Sequence, residues 1–131
     1  MKPLTLILGL LLALGLQAQQ TDTLYNGYMK YYYPSGVMSS EGTLVNGKPD
    51  GYWKTYFENG VLKSEGNRQN FELDGLWKFY NDSARLTLTI EYRNNRKNGL
   101  RTTYRPGETI AETFVNDVKE GPTTTYYPDG K

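Results

Sequence analysis

Aromatic and polar residues alternate along short runs that begin at a glycine and end at a turn. The run GYWKTYFENG, residues 51–60, has six side chains that an extended strand divides between two faces. Successive side chains of a strand point in opposite directions. One face carries Trp53, Thr55 and Phe57, and the other carries Tyr52, Lys54 and Tyr56. We expect the tryptophan side to be packed and the lysine and tyrosine side to be wetter.

The same run occurs five times along the chain. Its copies start at Gly27, Gly51, Gly75, Gly99 and Gly121, which are 24, 24, 24 and 22 residues apart. A tyrosine lies five residues after each of these glycines, at Tyr32, Tyr56, Tyr80, Tyr104 and Tyr126. A period of this length predicts an array in which each repeat packs on its neighbours.

The position two residues after each starting glycine changes along the array. It holds Met29, Trp53, Trp77, Arg101 and Thr123 in the five copies. The large apolar column is therefore strong early and weak toward the C-terminus. We predict structural roles for the starting glycines and for the two tryptophans, because repeat proteins use the same packing positions in every unit.

Turn sequences divide each copy into two strands. PSG, ENG, PG and PDG supply the positive φ or the fixed proline φ of a tight reversal, and NGKPDG or NRKNG end the copy. A hairpin about every two dozen residues gives nine strands in total. The third copy has NDSA without a glycine, which predicts a wider reversal. Equivalent tyrosines two strands apart are roughly 10 Å from each other, so we expect an aliphatic, serine or threonine side chain between them.

The pattern GYWKTYFENGVLKSEG, followed by GLWKFY, resembles the variant MORN repeats of bacterial YwqK-type antitoxin-like proteins. The resemblance covers residues 27–131 and is strongest in the first two copies. It implies an all-β fold, an elongated antiparallel sheet of successive hairpins. It also implies a scaffold or partner-binding surface without enzyme activity, and it carries associations with toxin–antitoxin pairs and with phospholipid binding.

The N-terminal residues 1–18 have the pattern of a helical secretory signal peptide. A basic Lys2 precedes an apolar stretch from Leu4 to Leu16, and Ala18 stands at a cleavage position. Cleavage after Gly15 is the alternative. The stretch is shorter than the roughly 20 residues of a transmembrane helix. We therefore expect export to the periplasm, the outer envelope or the medium, with residues 19–26 as a linker before the repeats.

Composition excludes most catalytic chemistry and favours no cofactor. The chain has no histidine and no cysteine, which excludes a Ser-His-Asp triad, a cysteine nucleophile and a Cys/His zinc site. The NGKPDG turn has no later glutamate of the kind that a calcium loop requires. The net charge is +1, and Lys2 is the only charged residue before Asp22. A neutral mature chain argues against binding to nucleic acid or to anionic lipid.

The lysine and tyrosine side is the candidate partner-binding face. Tyrosine provides a large contact area at a low entropic cost, and the predicted contact residues are Tyr52, Lys54, Tyr56, Lys78, Tyr80 and Tyr104. A purely structural role of the tyrosines is the alternative. We expect the recurrent glutamates to pair weakly with the lysine column, Glu41, Glu65, Glu91 and Glu112 with Lys30, Lys54 and Lys78. No two of them stand out as the carboxylate pair of a glycosidase.

These patterns predict an exported, non-enzymatic scaffold that binds a protein through its sheet face or a free edge. The last strand, Pro122 to Tyr127, has no following partner in the sequence, so we expect self-association or peptide binding there. An antitoxin-like inhibitor is the alternative, and it would need an envelope or secreted target. Phospholipid binding is a third and weaker alternative.

Overall fold

The computed structural model describes residues 24–128, which form a single antiparallel sheet of successive hairpins. The predicted all-β architecture is thereby confirmed. The predicted signal peptide, residues 1–18, and residues 19–23 of the predicted linker lie outside the described residues. Residues 24–128 include no helix of a length and apolarity that would let it span a membrane.

Ten strands follow one another along the described chain. They are β1 (Gly27–Tyr32), β2 (Met38–Val45), β3 (Lys48–Pro49), β4 (Gly51–Tyr56), β5 (Leu62–Gln69), β6 (Glu72–Tyr80), β7 (Leu86–Arg93), β8 (Arg96–Arg105), β9 (Glu108–Val115) and β10 (Val118–Tyr126). The sheet has the order β1-β2-β4-β5-β6-β7-β8-β9-β10, and β3 pairs only with β2. The nine strands of this path are the nine that the repeat count predicts, with β3 as a short addition before Asp50.

The turns at one rim of the sheet tie successive repeats together. Their central residues are Asn46-Gly47, Asn70-Phe71, Asn94-Asn95 and Asn116-Asp117, all with φ between 48° and 77°. Two positive φ angles in a two-residue loop are typical of a type I′ turn, which matches the twist of the strands. In each turn the second residue donates its backbone N–H to a carbonyl of the preceding hairpin, as Phe71 does to Pro49 at 2.8 Å, except that Gly47 of the first turn donates to Tyr25, ahead of the first repeat. These bonds fix the position of each hairpin on the one before it.

The opposite rim corrects the prediction for the third copy. Its reversal from Asn81 to Arg85 is as tight as the one from Phe57 to Val61, because both close with the same pair of backbone hydrogen bonds. Ala84 takes the place of the glycine and adopts a φ of 65°. The Asn81 side chain supports the turn by accepting the N–H groups of Ser83 and Arg85, both at 3.0 Å. The predicted wider reversal is wrong, because Ala84 adopts the left-handed conformation that glycine has in the other reversals.

Replacing Ala84 with glycine is expected to raise the free energy of unfolding by about 1 kcal/mol, because glycine adopts a positive φ without the steric cost of a Cβ. The matched control is Gly60→Ala, which places a Cβ at the equivalent position of the second reversal, where φ is 86°. That change is expected to lower stability by a similar amount. Urea unfolding of both variants tests the pair, and a loss of stability in A84G would contradict it.

The core lies on one face of the sheet, which we call the tryptophan face. Its buried side chains are Leu44, Trp53, Trp77, Ile90 and Phe114. Trp53 is only 6% exposed and stacks on Tyr31, with the ring centres 6.4 Å apart. Phe57, which alternation placed on this face, lies beyond the end of β4 in the reversal, with Lys63 Nζ 5.5 Å from its ring centre.

Two strand glycines lie directly beneath the tryptophan rings. A Cβ built on Gly42 would be 2.6 Å from Cγ of Trp53, and one on Gly66 would be 2.6 Å from Cγ of Trp77. Real Cβ atoms do not approach so closely, so only glycine leaves room for the ring. Each indole donates its Nε1–H to the backbone carbonyl of the residue that follows the glycine. Trp53 donates to Thr43 at 3.0 Å, and Trp77 donates to Asn67 at 2.9 Å. The ring thereby buries apolar area and keeps its polar atom bonded.

Candidate partner-binding face

The other face of the sheet, which we call the tyrosine face, carries a row of charges across five strands. Its residues stand directly opposite one another in register, in the order Lys30, Glu41, Lys54, Glu65 and Lys78. The row continues without charge through Thr89, Thr102, Ala111 and Thr124. We call the whole set the central row. Strands lie about 4.8 Å apart, so the sign of the charge alternates at that spacing in the first half of the sheet.

Glu41 on β2 holds one tyrosine on each side. Its Oε1 accepts the hydroxyl of Tyr28 on β1, and its Oε2 accepts the hydroxyl of Tyr56 on β4 at 2.6 Å. Both tyrosines are diagonal neighbours of the glutamate in the register, two positions along from its direct partners. The hydroxyl groups of both tyrosines are therefore anchored to the strand between them.

Glu65 on β5 repeats this arrangement one hairpin later. It accepts the hydroxyl of Tyr52 on β4 at 2.5 Å and that of Tyr80 on β6 at 2.7 Å. The strand between Tyr56 and Tyr80 places the aliphatic Leu62 opposite Tyr56, as expected, and Glu65 bonds Tyr80 from a diagonal position. We call the two groups, Tyr28-Glu41-Tyr56 and Tyr52-Glu65-Tyr80, the tyrosine clamps.

The predicted pairing of glutamates with lysines holds in the strand register of Glu41 and Glu65, but not as close ion pairs. Lys30, Lys54 and Lys78 are register partners of the two clamp glutamates. Within residues 24–128, however, the ion pair closer than 4.0 Å is Arg105 with Glu108 at 3.4 Å, in a turn of the fourth copy. The tyrosine hydroxyls donate hydrogen bonds to the two carboxylates. The lysine ammonium groups act on these carboxylates only through longer-range charge.

The predicted column of four glutamates contains only two equivalent positions. Glu91 lies opposite Leu76 instead of in the central row, and its Oε2 accepts the backbone N–H of Leu100 at 2.6 Å. Glu112 lies opposite Arg101, which places it on the tryptophan face. The position equivalent to Glu65 in the third hairpin is Thr89. The sequence offsets of these glutamates differ by one or two residues, and each residue of offset reverses the face.

The clamps shift the pKa values of their members in opposite directions. Hydrogen bonds from Tyr28 and Tyr56, helped by the charges of Lys30 and Lys54, lower the pKa of Glu41. The pKa of Glu65 is lowered in the same manner by Tyr52 and Tyr80. The hydrogen bond to Glu65 and partial burial raise the pKa of Tyr80 to about 12. Near neutral pH the face therefore holds ionised carboxylates and neutral phenols.

Stability is expected to fall at acid pH through these clamps. The pKa of Glu65 is lower in the folded chain than its ordinary value of 4.5, so its contribution is complete above that value and is lost as pH falls through the folded pKa. Glu65→Gln should lower stability at neutral pH and make the remaining stability less sensitive to acid. Urea unfolding between about pH 7 and pH 3 measures this. The control is Glu58→Gln, an exposed glutamate in a reversal, and equal acid sensitivity of all three proteins would contradict the prediction.

An exposed row of large apolar side chains runs beside the central row. It occupies the position after each of the first four starting glycines, with Tyr28 55%, Tyr52 50%, Leu76 48% and Leu100 49% exposed. The intervening strands place smaller or polar partners between them, namely Thr43, Asn67, Glu91 and Thr113. We call this the outer row. Our sequence interpretation missed Leu76 and Leu100, although their constant position after the glycine was visible.

The structure brings together five of the six predicted contact residues. The tyrosine face carries all five on β4 and β6, the two strands that flank β5: Tyr52, Lys54, Tyr56, Lys78 and Tyr80. Tyr104 lies further along on β8, where Thr89 replaces the clamp glutamate. It lines a shallow depression with Arg85 and Pro106. The tyrosine column is therefore clamped in the first half of the sheet and unclamped in the second.

The five starting glycines mark the beginning of alternate strands or lie within them. All have positive φ, from 73° to 133°: Gly27, Gly51, Gly75, Gly99 and Gly121. At Gly75 the strand bulges, because Lys78 faces Glu65 while Asp74 faces Asn67, which leaves two extra residues on β6. A left-handed residue absorbs this excess without a Cβ clash. The bulge brings Trp77 and Lys78 into register with the preceding hairpin.

The described residues offer a surface rather than an enclosed site. Within residues 24–128, no three acidic side chains come close enough to hold a metal ion. The surface depressions are shallow, such as the one that Gln69, Asn70 and Asn94 line beside a turn. The arrangement therefore suits contact with an extended partner surface more than capture of a small molecule.

Comparison with known proteins finds a similarity in the first two hairpins. Residues 25–46 and 49–70 each match the family model of the MORN repeat variant. No curated protein matches the chain significantly. The matched stretches contain Trp53 and both clamp glutamates, the part of the sheet in which the repeated columns are complete. These two stretches of the chain are therefore similar to MORN repeats of the variant type.

Proposed function

We propose that this chain is an exported, non-enzymatic repeat scaffold that binds a protein partner through its tyrosine face. The observation that carries the proposal is the difference in burial between the apolar side chains of the two faces. The buried apolar side chains lie on the tryptophan face, whereas the outer row leaves four large apolar side chains about half exposed. Large apolar side chains that recur in an exposed row on one face of a folded sheet are typical of an interaction surface.

The clamps support this proposal because they organise the face before any partner binds. Tyr52 and Tyr80 are both bonded to Glu65, and Tyr28 and Tyr56 are both bonded to Glu41. Side chains that are already ordered lose little conformational entropy on association. Tyrosine is also enriched among the residues that dominate binding energies. The same geometry therefore favours both fold stability and affinity.

The proposed location outside the cytoplasm rests on the leader pattern of residues 1–18. The partner is then expected in the envelope or outside the cell. An antitoxin-like inhibitor would be one form of this proposal, in which the bound protein is a toxin with an envelope or secreted site of action.

Affinity capture from an envelope fraction tests the proposal. A tagged chain with Tyr52→Ser and Leu76→Ser should recover its partner at least about tenfold less well than the unaltered chain, because both changes remove exposed contact area. The control is Val118→Ser, which changes a somewhat more exposed apolar residue at the rim of the last hairpin. Equal capture by all three chains would overturn the proposal.

The identity of the captured protein separates the remaining alternatives. A captured protein whose toxicity the chain suppresses would establish the inhibitor form. Flotation of the chain with vesicles of anionic phospholipid, abolished by the same two substitutions, would instead replace the protein partner with a lipid surface and contradict the proposal. An unaltered chain that does not float agrees with it.

A further inference from the structure

We infer that the tyrosine face binds a second copy of this chain, packed face to face over strands β2 to β6. The inference rests on the proposed function, because it names the partner of the same face. Two independent alternations on that face carry it, one of charge and one of side-chain size. Both have a period of two strands, and both are satisfied by the same pairing of strands between the copies.

The charge alternation excludes some pairings and favours others. In the central row Glu41, Lys54, Glu65 and Lys78 follow one another on consecutive strands of the path. Two copies stacked strand over identical strand would place like charges together, which costs free energy. Packing β4 over β5 and β2 over β6 of the second copy brings every lysine of this set over a glutamate. Two sheets that pack with aligned strands have equal strand spacing, so the match extends over the whole set.

Size alternates in the outer row with the same period. Tyr52 and Leu76 project from β4 and β6, whereas Thr43 and Asn67 occupy β2 and β5 between and beside them. Stacking in register would oppose large side chains to large ones. Packing β4 over β5 and β2 over β6 places each of these large side chains over a small or polar position of the other copy. The arrangement that pairs the charges therefore also lets the side chains interdigitate.

A twofold axis satisfies both conditions when it runs parallel to the strands between β4 and β5. It places Lys54 opposite Glu65 of the second copy and Glu41 opposite Lys78 of the second copy, and each contact occurs twice. Twofold dimers are the commonest soluble oligomers. Lys30 then faces the uncharged Thr89 of the second copy, outside the set of paired charges.

The clamps leave the carboxylates and the lysines able to form such a contact. Each clamp carboxylate oxygen accepts one phenol hydroxyl and retains a second lone pair for an ammonium group. Lys54 and Lys78 are partly exposed, and neither has a carboxylate within 4.0 Å among the described residues. The contact therefore adds ion pairs across the interface without breaking a hydrogen bond inside the chain.

Sedimentation equilibrium of the purified full chain tests the inference. A monomer–dimer equilibrium is expected, and Lys54→Glu should weaken it at least about tenfold by placing carboxylates on both sides of the contact. Lys30→Glu is the matched control and should leave the dissociation constant unchanged. In a second pair, Asn67→Trp should weaken the dimer by filling the space for Tyr52 of the second copy. Thr113→Trp changes the equivalent position on β9, outside the contact, and should not weaken the dimer.

The outcomes separate this inference from the proposed function. A monomer at all concentrations overturns the inference, whereas loss of capture by the Tyr52→Ser and Leu76→Ser chain would still support a different protein partner. A dimer that is insensitive to both Lys54→Glu and Asn67→Trp also overturns it, because the contact would lie elsewhere, for example on an outer strand. Circular dichroism of each variant confirms that it is folded before it is scored.

Discussion

Replacing Trp77 with alanine is expected to lower the free energy of unfolding by about 3–5 kcal/mol, the usual cost of removing a buried aromatic side chain. Trp77 is 4% exposed, the least exposed of the buried apolar residues. Its ring covers Gly66, lies 6.4 Å from the ring of Phe79 and has the guanidinium of Arg68 5.5 Å from its centre. In a single sheet no second layer can move in to fill the space. The loss of stability is therefore expected near the upper end of this range.

Urea unfolding followed by circular dichroism measures this loss. The control is Tyr126→Ala, which removes an aromatic ring that is 58% exposed on β10 and should cost less than about 1 kcal/mol. Similar losses for the two variants would show that the tryptophan face does not dominate stability. The division of the sheet into a core face and a binding face would then fail.

The overall fold was predictable because residues close together in the sequence determine each hairpin. Starting glycines 24 residues apart, turn sequences and alternating rings specify hairpins, and identical hairpins stack edge to edge. The reversal at Ala84 was not predictable from turn preference alone. Its length is set by the register of β6 with β7, which Trp77 and Ile90 fix from the core face. Tertiary packing there outweighs the local preference for glycine.

The tyrosine clamps were not predictable from alternation, although all their residues were visible. Alternation assigns side chains to faces, and it placed Tyr52, Lys54 and Tyr56 together correctly. It does not say whether a glutamate bonds its direct lysine partner or a diagonal tyrosine. The diagonal is within reach of long aromatic side chains, and the phenol hydroxyl lies at the end of a ring that reaches across one strand.

The glycines beneath the tryptophans were the main structural feature that our sequence interpretation missed. The sequence SEG occurs in the first two copies, and its Gly42 and Gly66 each precede a tryptophan repeat. In the third copy the equivalent residue is Ile90, and the next repeat has Arg101 in place of the ring. The two changes agree physically, because a flexible side chain does not require an empty position beneath it.

Gly66→Ala is expected to lower the free energy of unfolding by about 1–3 kcal/mol, which is the usual cost of overpacking a core. The added Cβ would meet the Trp77 ring at 2.6 Å from Cγ, so the ring must shift and stretch its bond to the carbonyl of Asn67. Unfolding in urea measures the loss. The cost depends on the ring and not on the backbone of β5, since Gly66 does not have a positive φ.

The same substitution in the Trp77→Ala chain gives the decisive comparison. Without the ring, alanine meets no obstacle and restricts the unfolded chain more than glycine does, so it should be neutral or stabilise by up to about 1 kcal/mol. A change of sign between the two backgrounds isolates the contact as a coupling energy. The measurement is made in sucrose, which favours the folded state of both chains. If alanine costs the same in both backgrounds, the loss comes from the strand itself, and the tryptophan is not what requires glycine at this position.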